Sequence, residues 1–448
     1  MKKLFLTIIS GLFFMPQLLA AGTDANVNNN AVYQVSGNIG AAQSVAVPVI
    51  SSATEETQVA GMKLPLAKKK WTIMVYIVGK NNLSGDGLDD VAEMQKVGSD
   101  ANLNVIVERG TMEKGGTFGP VERIYAKKTG WVSGPQSLVL QSWPQADMGD
   151  WKRAAAFAKY AKTNFPADKY MLVLWNHGSG WISFEKPMQG TAPKDNETLE
   201  PAGRGIGYDD ETNNHITTIE MRALLKEIGG VDVYASDACL MADIAVDAEI
   251  SKYTKFIVGS EETEPASGYE YTGMLKRFAK KPDMSAEQAA IAVAEAYYDS
   301  HMFSLINNHL GAGMTVSVLN TERIFPLSRA IKDFVDLAVA SPDTKALKKG
   351  YSEAHRFAYD HAADLYDFMR IVRDNTTDNR LKGKANQIMI YIEHRAIIKN
   401  LVRGKSKGFA YGIACYLPPQ MYFPEYDELM FAKYTGWGKL VKHIKGAL

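Results

Sequence analysis

The run F-P-A-D-K-Y-M-L-V-L-W-N-H-G-S-G-W, Phe165 to Trp181, decides the fold. Its middle, Tyr170 to Trp175, has no charged residue, so a strand built from it must be covered on both faces, as in a parallel sheet between helical layers. Its end, Asn176-His177-Gly178-Ser179-Gly180-Trp181, puts an imidazole on a glycine-rich turn just past the strand. Upstream, Asp150 to Thr163 carries Trp151, Ala154, Ala155, Phe157, Ala158 and Ala161 at helical spacing. The pattern recurs along the chain. Trp71 to Val78, Asn104 to Glu108, Val231 to Ala235 and Phe256 to Gly259 have strand length and apolar content. Asp86 to Val97, Thr218 to Ile228 and Cys239 to Ser251 have helical spacing. Strands alternating with helices predict an α/β fold, a mostly parallel sheet flanked by helices. From about Phe278 the chain adds helical segments, Ala286 to His301 and Ile324 to Ala338, and a final strand region. This α/β extension either completes the sheet or forms a second subdomain.

In an open sheet of this kind, ligands gather outside the carboxyl ends of the strands. The end after Tyr170 to Trp175 offers His177, and the end after Val231 to Ala235 offers Ser236-Asp237-Ala238-Cys239. One crossover separates the two, which favours neighbouring strands with both ends on one rim. A thiol within reach of an imidazole is the minimal nucleophile and acid/base pair for acyl transfer. Gly178 lets backbone approach a bound carbonyl, and the N–H groups of Gly178 and Cys239 are the candidate oxyanion donors. If Cys239 opens a helix, the dipole favours its thiolate. Three plainer readings compete. His177 and Cys239 are structural residues taken singly; Cys239 pairs with Cys415 in a disulfide; or Asp209, Asp210, His215 and Cys239 hold a metal, at a spacing that matches no common pattern. Cys415, in the apolar run Gly412 to Leu417, reads as core.

Composition narrows the classes. Lys+Arg and Asp+Glu are both 50, so the basic excess of a nucleic-acid binder is missing. Two cysteines rule out a disulfide-dense scaffold, and the 8 histidines include no H-E-x-x-H pair, which removes a zincin. The first residues, Lys2-Lys3 followed by a short apolar run and then Ala20-Ala21-Gly22, read as a cleaved signal peptide over 1–21. Its removal leaves no stable membrane anchor and implies secretion or a periplasmic location. Residues 22–70 read as a flexible leader or pro-segment, poor in apolar bulk and ending in the basic joint Lys68-Lys69-Lys70. Ser183 to Arg204, rich in proline and glycine, reads as a long exposed loop between His177 and Cys239.

From Trp71 onward the sequence resembles the clostripain family of cysteine peptidases, relatives of caspases and gingipains. The resemblance lies in W-T-x-M-V-Y (Trp71 to Tyr76), Asn81-Asn82-Leu83, Phe165 to Trp181, G-I-G-Y-D-D (Gly205 to Asp210), S-D-A-C-L-M (Ser236 to Met241), S-E-E-T-E-P-A-S-G-Y-E-Y (Ser260 to Tyr271) and D-L-Y-D-F (Asp364 to Phe368). It implies a caspase-like core over 71–277, with 278–448 as the C-terminal region. It implies an endopeptidase acting on peptides or proteins after Arg or Lys, with His177 and Cys239 as the dyad. It also implies that Asp237 lines the S1 pocket, where a carboxylate favours a basic side chain; the competing role for Asp237 is a helix cap. A second S1 acid would come from Glu261 to Gly268. Relatives are made as zymogens cut between the two catalytic blocks, which makes Lys186, Lys194 and Arg204 the autocleavage candidates. No cofactor is required, and the resemblance leaves room for calcium. Tyr269 stands where relatives commonly carry Trp. The rival function is a catalytically silent, caspase-like peptide-binding protein.

Overall fold

The computed structural model describes residues 57–447 apart from 60, 114, 131–136, 183–204, 302–312, 343 and 407. The predicted signal peptide and most of the predicted leader therefore lie outside the described residues.

A nine-stranded sheet forms the centre, in the order Ile397–Arg403, Met314–Asn320, Thr254–Gly259, Val231–Asp237, Ala167–Trp175, Lys69–Ile77, Leu103–Met112, Phe118–Tyr125, Leu138–Trp143. The five inner strands, from Thr254–Gly259 to Leu103–Met112, run parallel. The two strands on each flank pair antiparallel. The sheet is thus mixed at its margins and parallel where the candidate site lies.

Successive side chains of the inner strands alternate between two cores. Met74, Tyr76, Ile106, Leu172, Leu174 and Tyr234 face one. Ile73, Val75, Ile77, Val105, Val107, Met171, Val173 and Trp175 face the other. Both faces are dry, which is why these strands read as unbroken apolar runs rather than alternating ones. Helix Trp151–Asn164 covers the first face with Ala154, Ala155, Phe157, Ala158 and Ala161, while Ser84–Val97, Tyr271–Lys280 and Ala286–Ser300 cover the second.

The C-terminal third enters the same sheet through Met314–Asn320 and Ile397–Arg403. The described strands also begin earlier than Trp71. A hairpin of Thr57–Val59 and Met62–Leu64 precedes the first central strand, and Leu64 is buried in the main core. The basic joint is spent on ion pairs, Lys68 with Asp168 at 2.8 Å and Lys70 with Asp283 at 2.9 Å. Residues 57–70 are therefore part of the fold rather than a flexible leader.

Candidate active site

Strands Ala167–Trp175 and Val231–Asp237 are parallel neighbours, with Trp175 opposite Asp237. The N–H of Asn176 donates to the Asp237 carbonyl at 3.2 Å. His177 and Cys239 each follow this matched pair by two residues, so both leave the sheet on one rim. Gly178 is required there. A Cβ on it would stand 2.5 Å from the Cys239 carbonyl oxygen and 3.0 Å from the Ala238 side chain. Strand Gly205–Asp209 holds the histidine turn from the other side. Ser179 donates its N–H to the Gly205 carbonyl at 3.1 Å, Gly207 donates to the His177 carbonyl at 3.3 Å, and Tyr208 donates to Asn176 Oδ1 at 2.7 Å. The G-I-G-Y-D-D motif thus buttresses the turn that carries the imidazole.

The His177 ring bonds through Nε2 to Asn82 Oδ1 at 2.8 Å, and burial lowers its pKa to about 4. The Cys239 thiol accepts the Glu264 N–H at 3.2 Å and packs beside Leu240, Phe357 and Tyr359. Burial pushes the thiol up to about 12. Among the described residues the dyad members do not hydrogen-bond each other. Both are uncharged at neutral pH, the thiol protonated and the imidazole neutral.

One expectation about the thiol is overturned. Cys239 does not begin a helix: it sits in a turn, and the helix runs Ile244–Ile250. Leu240 takes φ +63°, a left-handed conformation that stops helical propagation from Cys239. Asp243 caps the helix instead, its carboxylate accepting the N–H groups of Ala245 and Val246. The dipole of that helix is therefore not applied at the sulfur. The same cap removes the plainer reading of Asp237.

Asp237 is buried and held by the segment that follows the next strand. Its Oδ1 accepts the Tyr269 N–H at 3.0 Å and its Oδ2 accepts the Tyr271 hydroxyl at 2.7 Å. Gly268, at φ +49°, passes so close that a Cβ would lie 2.5 Å from Oδ1. Tyr269, where relatives commonly carry Trp, donates its hydroxyl to the Ser236 carbonyl at 2.9 Å. The glutamates of the facing loop separate cleanly. Glu261 accepts the Gly412 N–H and pairs with buried Asp364. Glu262 accepts the N–H groups of Thr263 and Ala358. Glu264 alone has both carboxylate oxygens buried without an N–H or hydroxyl donor, and it pairs with the Asp237 carboxyl. Burial, and then the neighbouring Asp237, holds its carboxyl well above the usual range. Burial likewise raises Asp237 to about 7, and burial with the Asp237 charge raises Asp90 behind it to about 9. Asp237 thus interacts with Glu264 on one hand and Asp90 on the other, and among the described residues no lysine or arginine pairs with any of the three.

The competing arrangements do not form. Cys239 and Cys415 are both free, and Cys415 is fully buried on the short strand Ala414–Tyr416. Asp209 spends its oxygens on the N–H groups of Met148, Glu211 and Thr212. Among the described residues no group of three or more histidine, cysteine or acidic side chains is placed to hold a metal. Lys186, Lys194 and Arg204 lie outside the described residues. Two contributors escaped the sequence reading: Asn82, visible only as part of a motif, and Glu264, one acid among several in its loop.

A thiol and an imidazole on adjacent strand ends of a helix-flanked sheet define the cysteine-peptidase type of α/β protein. The chain belongs to the clostripain family of cysteine peptidases, matching it over residues 75–443. Clostripain of Hathewaya histolytica is 33% identical over 194 residues, covering 40% of this chain and 35% of that protein. The chain thus matches well under two thirds of that relative's length. In fold it is similar to a secreted C11 cysteine protease of Bacteroides thetaiotaomicron bound to an irreversible peptide inhibitor: TM-score 0.61, 19% identity, 82% of this chain and 99% of the other. It is also similar to an inactive zymogen C11 protease of Parabacteroides distasonis: TM-score 0.59, 18% identity, 83% and 99% covered. Among the described residues no helix is long and apolar enough to cross a membrane.

Proposed function

We propose that this chain is an exported cysteine endopeptidase cleaving after Arg or Lys through Cys239 and His177. The observation that carries the specificity is the acid pair Asp237 and Glu264 beside the thiol. Two buried carboxyls without a cation are costly to ionise together, and a basic substrate side chain entering between them supplies the missing charge. Glu264 is the second S1 acid in this reading, since its neighbours in the loop are committed to backbone donors.

The chemistry follows from the dyad. As Cys239 Sγ attacks the carbonyl carbon, its proton passes to His177, and the N–H groups of Gly178 and Cys239 bind the oxyanion. His177 then returns that proton to the leaving amine as the C–N bond breaks. Water, deprotonated by His177, attacks the thioester; the C–S bond breaks and the thiolate recovers its proton. The thiol's contact with the Glu264 N–H, and its packing against the apolar cluster of Leu240 and Phe357, support reading this as a resting form. Autoprocessing after Lys186, Lys194 or Arg204 is the proposed route out of it. These steps give calcium no role.

The raised pKa of Cys239 is the observation that favours a second reading, a silent peptide-binding protein. Labelling separates the two. A basic peptidyl chloromethyl ketone should alkylate Cys239 much faster than an acidic one, and Arg- and Lys-linked reporters should be hydrolysed. No turnover together with equal labelling by both reagents would favour the silent reading.

A further inference from the structure

We infer that Asn82 is the positioning residue of the imidazole. By accepting from Nε2 it fixes the tautomer and leaves Nδ1 as the nitrogen that exchanges protons with Cys239 and the leaving amine. The inference rests on the reading of His177 and Cys239 as the dyad and adds a third member to it.

An amide oxygen is an acceptor only, so a ring nitrogen 2.8 Å from Asn82 Oδ1 must carry its proton. A neutral imidazole has one N–H, and Nδ1 is therefore the basic nitrogen. Asn82 is itself exposed, yet everything around it is fastened. Asn81 is buried; its Oδ1 accepts the Leu83 N–H at 3.0 Å, closing an Asx turn over residue 82. Its Nδ2 donates to the Tyr208 carbonyl at 2.7 Å. Lys80 is fully buried, pairs with Glu211 and donates to the Gly119 carbonyl at 2.9 Å. The Asp210 N–H donates to the Lys80 carbonyl at 3.0 Å. Gly79 passes so near the adjacent strand that a Cβ would stand 2.3 Å from the Gly110 carbonyl oxygen. A buried lysine, a buried asparagine and a close backbone crossing hold one exposed side chain against the ring. Such rigid support is what a group needs in order to orient another.

The choice of amide over carboxylate also has a consequence. Burial is the one cause acting on the His177 pKa, and no charged side chain, from the 79–83 loop, strand Gly205–Asp209 or the Cys239 turn, opposes it. A neutral partner orients the ring without favouring imidazolium, so the resting base stays unprotonated. The acid limb of kcat/KM then reports protonation of His177.

The test uses the processed full-length enzyme and an Arg-linked reporter, with Asn82→Ala, Asn82→Asp and His177→Ala side by side. Asn82→Ala should lower kcat by about ten- to a hundredfold with KM within twofold, as loss of an outer-shell orienting partner typically does. Its Tm should match wild type, because the side chain is exposed. Asn82→Asp should raise the pKa of the acid limb by about one unit or more, since a carboxylate at this distance favours the imidazolium. If kcat of Asn82→Ala stays within twofold of wild type, or the acid limb of Asn82→Asp does not move, while His177→Ala is inactive, the positioning role is overturned and the dyad stands. Hydrolysis surviving in His177→Ala overturns both.

Discussion

Glu264→Gln separates a substrate pocket from a structural acid, because the two roles predict opposite effects on stability and selectivity. The change keeps the shape and removes one of two facing buried carboxyls. A charge-assisted hydrogen bond is worth ~1.5–3 kcal/mol, so kcat/KM for Arg-linked substrates should fall about 10- to 150-fold. Substrates with norleucine at the same position should be almost unaffected. Stability should move the other way. Asp237 has a folded pKa of about 7 and Glu264 one well above its unfolded value, so from about pH 4 upward, to about 7 for Asp237, the folded chain holds more protons than the unfolded chain. Their contribution to stability therefore falls as pH rises until each folded pKa is passed. Removing the Glu264 carboxyl should raise Tm at pH 8 and leave a smaller gain at pH 5. Steady-state kinetics on paired Arg and norleucine reporters, with scanning calorimetry at both pH values, measures the two effects. Equal losses for both reporters, or a lower Tm at pH 8, would refute the pocket and make Glu264 a structural group.

Cys239→Ala and His177→Ala should each abolish hydrolysis of Arg and Lys reporters with circular dichroism unchanged, whereas Cys415→Ala should retain it; the reverse pattern for the cysteines would reassign the nucleophile. Purified wild type should split after Lys186, Lys194 or Arg204 into two chains that co-elute, because Ala167–Trp175 and Val231–Asp237 are neighbours in one sheet; Cys239→Ala should stay whole. Mass spectrometry of the new N-terminus identifies the bond, and cutting of purified Cys239→Ala at that bond would exclude autoprocessing. Gly268→Ala places a Cβ at φ +49° and 2.5 Å from Asp237 Oδ1, so it should cost on the order of 1–3 kcal/mol in stability and weaken basic-substrate selectivity. Denaturant melts and the Arg-to-norleucine ratio check this; a neutral result would mean that the loop gives way freely.

The central strands and the two catalytic blocks were legible in the sequence because their signals are local. Tyr170 to Trp175 is apolar on both faces whatever else surrounds it, and a His-Gly turn or an Asp-Ala-Cys turn at a strand end is contiguous in the chain. The flanking strands Phe118–Tyr125 and Leu138–Trp143 carry no such signal. The first has Gly119-Pro120 directly after Phe118, which argue against a strand, and the second is half exposed. The helix expected from Cys239 starts five residues later, at Ile244, since periodicity does not report that Leu240 is left-handed or that Asp243 caps. Asn82 and Glu264 needed the tertiary structure outright. Asn82 meets an imidazole 95 residues away, and the Glu264 backbone meets a thiol 25 residues away. Composition and spacing fix which side chains are available, but which acid is left without a donor depends on how distant segments pack. Glu261 and Glu262 are chemically equal to Glu264 in the sequence, and only the approach of Gly412 and Ala358 takes them out of contention.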